Sequence, residues 1–197
     1  MSLPPLSQWT SASGDAHFSP PKDCARRVTK FERQIRIRNW IEYGAGVFVL
    51  VLFGTSGTAA LFKGDTMIGL SLLSIVLGTM VVMRELRRRG SNLDRQPEDD
   101  CVTHLRRQYE RQYDALRKVP IWYVGPFMPG LALFYVSIAA GYAETVGWKD
   151  ALIGVAGPVS YSLAFAVVVL LLNWWVARAL KAKIDNLDAL VSTEALA

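Results

Sequence analysis

Four long apolar runs limit this chain more than any other feature. Trp40 to Phe62, Thr66 to Met83, Pro120 to Ala143 and Ala151 to Ala177 contain, tyrosines aside, one ionisable side chain, Glu42. Each reaches the ~18 residues that cross the hydrocarbon core of a bilayer. A soluble core helix of that length would keep a polar face, and a backbone in lipid must satisfy its own hydrogen bonds, so the runs read as transmembrane helices. The bulk properties agree, with 51% hydrophobic and 20% charged residues and a mean hydropathy of +0.22. The expected fold class is all-α: a polytopic membrane protein with four transmembrane helices in two hairpins and cytoplasmic helical extensions.

Charge sets the expected orientation. Of 22 Lys and Arg, seven precede Trp40, ten lie between Arg84 and Lys118 and three follow Ala177, while Lys63 and Lys149 sit in the short connections. That bias puts both termini and the central loop in the cytoplasm. It also accounts for the net charge of +5 without a nucleic-acid partner, so none is expected.

The chain divides into a tail, a membrane domain and a final helix. Residues 1–20 are rich in Ser, Pro, Gly and Ala, with Trp9 as an isolated aromatic; lacking a basic start and an apolar core, they read as a disordered tail, not a signal peptide. Residues 21–177 form the four-helix domain, with spans at about 40–62, 66–83, 120–143 and 151–177 and a loop helix at 100–118; residues 178–197 form a C-terminal cytoplasmic helix. No breaker separates Pro21 from Trp40, so one helix is expected to run from the cytoplasm through the first span, where Gly44, Gly46, Gly54 and Gly57 permit close packing. Asp99 or Asp100 caps the loop helix, whose apolar stripe is Val102, Leu105, Tyr109, Tyr113 and Leu116. Val28, Phe31 and Ile35 make a stripe before the first span, and Leu180, Ile184, Leu187 and Val191 make one after the fourth. Three such helices side by side predict a small bundle beneath the membrane, the alternative being helices that lie along the headgroups, and the loop-helix stripe is the candidate partner-binding surface.

The third span opens on broken geometry. Pro126 and Pro129 remove backbone donors, Gly125 and Gly130 flank them, and Gly157-Pro158 repeats the device in the fourth span. Gly125, Pro126, Pro129, Gly157 and Pro158 are therefore candidate kink or cavity positions. Trp40, Glu42, Tyr43, Trp122, Tyr123, Trp174 and Trp175 are expected at the membrane interface, with Glu42 beside Arg36 and Arg38.

Catalytic chemistry is sparse in the sequence. His17 and His104 are the only histidines, Cys24 and Cys101 the only cysteines, and both cysteines fall on the cytoplasmic side, where a structural disulfide is not expected. Cys101 and His104 have ligand spacing on a helix, but too few partners accompany them for a metal site. No carboxylate lies deep in a span, as proton-coupled transport or intramembrane proteolysis would need. No cofactor, metal, catalytic residue or small-molecule substrate is therefore assigned, and the chain reads as a non-enzyme.

The basic stretch from Phe31 through Trp40 to Tyr43, and Gln112-Tyr113-Asp114-Ala115-Leu116-Arg117-Lys118 followed by Trp122-Tyr123, Pro126 and Pro129-Gly130, resemble a family of uncharacterised small proteobacterial membrane proteins. Members usually carry an aromatic where this chain has Pro120. The resemblance implies a bacterial inner-membrane setting and brings no activity. The expected function is partner binding, self-association included, for regulation or scaffolding through the cytoplasmic helices; the alternative is a small transporter or channel subunit with a cavity at the kinked third and fourth spans.

Overall fold

The computed structural model describes residues 21–94 and 100–194, with side chains from 24 to 94 and from 100 to 189. The expectations for residues 1–20, Asp99 and the Val191 side chain lie outside these. The described residues contain helices and no strands. They are α1 Pro21–Phe62, α2 Thr66–Arg89, α3 Cys101–Arg117, α4 Met128–Val146 and α5 Trp148–Glu194, with a π-helical turn Pro120–Val124 and a 3-10 turn Gly125–Phe127 leading into α4. Four stretches are long and apolar enough to cross a membrane: within α1, in α2, from Pro120 to Val146 and within α5.

Two of the helices far outrun any bilayer. The 42 residues of α1 and the 47 of α5 span roughly 63 and 70 Å, against a hydrocarbon core of about 30 Å. The excess is the charged part of each. The final helix expected at 178–197 is not a separate element, because α5 continues through Ala177 without a break and also carries Pro158 inside it.

Short turns fix the neighbours. Gly64 adopts a φ of 90° between α1 and α2, a left-handed conformation that glycine takes without a Cβ clash, and the Asp65 N–H closes the turn on the Ala60 carbonyl at 3.0 Å. Gly147, at φ 83°, does the same between α4 and α5. Helix α1 packs on α2, α2 on α4 and α4 on α5, so α2 and α4 form the middle of the apolar layer.

The middle pair approach until backbone meets backbone. A methyl on Gly78 would sit 2.5 Å from the Pro126 carbonyl oxygen, and one on Gly130 would sit 2.9 Å from the Ile75 nitrogen. The break at Gly125-Pro126 is thus pressed into α2, where it makes a close helix crossing. Gly57 similarly faces Leu72 and the Gly69 carbonyl across the α1–α2 contact, whereas Gly44 meets nothing within 4 Å.

Gly78→Ala should therefore destabilise the detergent-solubilised protein by about 1–3 kcal/mol through overpacking, while Gly141→Ala, where nothing lies within 4 Å, should leave it unchanged or slightly more stable. Thermal unfolding followed by circular dichroism checks this. Equal melting temperatures for the two variants would contradict the α2–α4 crossing.

Candidate functional site

The charged ends of α1 and α5 meet α3 at one end of the molecule. Cys24 and Val28 of α1, Leu105 and Tyr109 of α3, and Leu180 and Ile184 of α5 form one buried cluster, with Phe31, Val102, Tyr113, Leu116 and Leu187 packed against it. The rings of Phe31 and Tyr109 meet edge to face at 4.7 Å, a geometry that adds about 0.5–1.5 kcal/mol beyond the area buried. Burial pushes the Tyr109 hydroxyl above its ordinary pKa, with the Arg27 charge opposing. The three stripes read from the sequence thus converge.

That convergence corrects the assignment of the α3 stripe as a partner surface. Leu105 is 3% exposed and Tyr109 8%, both covered by the chain's own helices. Tethered apolar faces bind each other at high effective concentration, which takes Leu105 and Tyr109 out of reach of a second protein.

The cysteines bring a second correction. Cys24 and Cys101, expected as separate thiols, are joined in a disulfide between the first turns of α1 and α3, with Cα atoms 6.2 Å apart. That spacing is within the range a bridge requires. They stand 77 positions apart in sequence, so only the bundle brings them together. His104 turns instead to α1, its Nε2 lying 3.2 Å from the Glu32 carboxylate, so the ligand-spaced pair Cys101 and His104 has separate partners.

A polar face of α3, not foreseen as such, is buried as deeply as the apolar one. His104, Gln108 and Gln112, spaced by four residues, are 2%, 0% and 1% exposed. Gln108 donates to the Leu93 carbonyl at 3.3 Å, and Gln112 donates to the Gly90 carbonyl at 3.3 Å while accepting from Arg38 at 3.2 Å. Asn39 donates to the same Gly90 carbonyl at 2.9 Å, and Asn92 donates to the Glu32 carbonyl at 3.2 Å. The segment leaving α2 is thereby sewn between α1 and α3. The available signal was a row of neutral side chains in a helix otherwise full of charge.

Helix α3 begins and ends on hydrogen bonds. The Asp100 carboxylate accepts from the Thr103 N–H at 3.2 Å, the expected cap, and at the other end the Trp122 indole donates to the Ala115 carbonyl at 2.8 Å. Trp122 consequently differs from the other aromatics expected at an interface. It is 8% exposed and packs with Val82, Leu86 and Val119, whereas Trp40, Trp174 and Trp175 are more than half exposed. Tyr43 and Tyr123 are partly buried against the Trp122 cluster. Glu42 pairs with Arg38 at 3.5 Å, and both line a cavity of about 80 Å³ with Tyr123 and Asn173.

No family model, curated protein or solved structure matches this chain.

The remaining kink positions divide. Pro158 and Gly154 line a cavity of about 170 Å³ between α4 and α5 with Tyr135, whose hydroxyl lies 3.2 Å from the Pro158 carbonyl and 2.6 Å from the Ser162 hydroxyl. Gly157 meets nothing within 4 Å, and Pro129 stands in the first turn of α4.

Outside the bundle core, Arg106 clamps α3 to α5. Its guanidinium contacts both oxygens of Asp188, at 3.2 Å for Nη2, and also Glu110 at 2.9 Å. The Arg106 hydrogen bond holds the Asp188 carboxyl below its ordinary value of 3.8. A carboxylate depressed in the folded state stabilises it fully above the unfolded pKa and loses that contribution as pH falls through the folded one. The clamp should therefore be constant from pH 7 down to roughly pH 5 and weaken only in more acid solution. A titration of bundle stability by protease resistance at fixed salt checks it. Asp188→Asn should flatten the acid limb, and an unchanged limb would refute the clamp.

Proposed function

We propose that this chain is a non-enzymatic integral membrane protein that binds a protein partner through the outer faces of its charged-end bundle, for regulation or scaffolding. One observation carries the reading: the stripes of α1, α3 and α5 are spent on one another, leaving a folded module beyond the apolar layer with its charged faces outward. Between the end of α2 and α3 runs a trough of about 520 Å³ lined by Arg88, Arg107, Arg111 and Lys118, with Glu110 and Asp114 fewer in number. Such a surface suits an acidic segment of a partner.

The setting belongs to the same proposal. The bundle lies in the cytoplasm of a bacterial inner membrane and the four spans form two hairpins, with the turns at Gly64 and Gly147 on the opposite side. Twenty of 22 basic residues on one side support that orientation. In a reducing cytoplasm Cys24 and Cys101 rest as two thiols and close their bridge when a thiol oxidant takes two electrons from them.

Two measurements test these statements. In affinity capture from membranes with mass spectrometry, Arg107→Glu/Lys118→Glu should lose a partner that the unaltered protein retains, with membrane insertion unchanged. Leu105→Asp/Tyr109→Asp should instead open the bundle to protease, and capture unaffected by the trough reversal would sink the proposed surface. Separately, alkylation of acid-quenched intact cells should find both thiols free before treatment with a thiol oxidant and bonded after it. A fully bonded pair in untreated cells would place the charged end outside the cytoplasm.

A further inference from the structure

A second groove, of about 770 Å³, opens where α3 stops and the chain turns into the third apolar stretch. The α5 wall grades from apolar to cationic: its lining passes from Leu170 and Leu171, with Asn173 beside them, through Trp174 to Arg178 and Lys181, close to one helix face over roughly 16 Å. The facing wall sets one cation, Arg117 at the end of α3, between Pro120 and Val119 on one side and Leu116 and Tyr113 on the other. The lining contains no carboxylate.

The cations are held at the rim. Arg178 stacks over the Trp174 ring at 4.5 Å, which fixes its height just beyond the apolar part of α5. Lys181 pairs with Asp185 at 2.7 Å, one turn further from the apolar layer. Neither Arg117 nor Arg178 has a carboxylate partner among the described residues. A charged, hydrogen-bonding rim above an apolar floor that continues into a spanning helix matches one ligand shape, an anionic head with hydrocarbon chains attached.

We propose that this groove is a binding site for an anionic glycerophospholipid, its phosphate held by Arg117 and Arg178 with Lys181 nearby, and its acyl chain lying on Leu170 and Leu171. Guanidinium groups suit phosphate because their planar donors engage two oxygens at once. A free phosphate compound would use the rim and leave the floor uncovered. The lipid uses both, filling the gap between the end of α3 and α5 and thereby bracing the bundle against the membrane. The site lies apart from the trough between α2 and α3 and does not depend on a protein partner.

The test uses the full chain in detergent, titrated with phosphatidylglycerol or phosphatidylcholine of identical acyl chains and read by native mass spectrometry. Phosphatidylglycerol should bind preferentially, and each guanidinium removed should weaken it about five-fold, so Arg117→Gln/Arg178→Gln should lose roughly 25-fold while phosphatidylcholine binding is unchanged. Arg84→Gln/Arg87→Gln removes the same charge elsewhere at this end, outside both grooves, and should leave binding as it was. Arg117→Lys/Arg178→Lys should retain most of it, and circular dichroism confirms that each variant keeps its helix content. Equal loss in both glutamine pairs, or none in the groove pair, would overturn the proposal. Displacement of the lipid by glycerol phosphate at equal concentration would assign the rim to a soluble phosphate compound and overturn it as well.

Discussion

Two buried amides decide the arrangement of the charged end. Gln108 and Gln112 hold the carbonyls of Leu93 and Gly90, so the segment leaving α2 is bound to α3 within a few residues of the apolar layer. An unpaired carbonyl at such depth would cost on the order of 1–3 kcal/mol, which makes the register of α3 against this segment strict. With one face of α3 committed, the adjoining face carrying Leu105 and Tyr109 is turned toward α1 and α5. The three-helix core, the Cys24–Cys101 bridge and the Arg106–Asp188 clamp all follow from that rotation.

The same rotation sets where α3 must end. The Trp122 indole donates to the Ala115 carbonyl in the last turn of α3, and the chain then passes through a π turn and a 3-10 turn before α4 begins. Prolines make this irregular passage compatible with its neighbours, and the glycines of α2 and α4 let it press against helix backbone. The basic groove opens between this stop and α5. A device that reads as a transport kink thus serves packing at Pro126, while Pro158 adjoins an open cavity.

Helix content and the spans needed only composition and periodicity. Residues 40–62, 66–83, 120–143 and 151–177 are apolar around their whole circumference, and no other secondary structure satisfies such a backbone in lipid. The short connection at Lys63, the Asp100 cap and the three apolar stripes were legible because each depends on a few neighbouring residues. The candidate site was legible only in part: the stripe on α3 and the bundle that covers it were expected, but the buried polar face beside it was not. Trp122 illustrates the limit, since its place beside other aromatics suggested an interface, whereas its indole is used inside to finish α3.

The sequence by itself determined that the chain is helical, that four stretches are apolar enough to span a membrane, and that three amphipathic faces require burial, because these properties are sums over adjacent residues. Only the tertiary structure decided that those faces bury one another, that cysteines 77 positions apart meet, and that Arg117 and Arg178 share a groove. Such pairings depend on how far each helix is rotated and where it stops. Those quantities are fixed by hydrogen bonds and close packing between residues far apart in the chain, and periodicity carries no record of them.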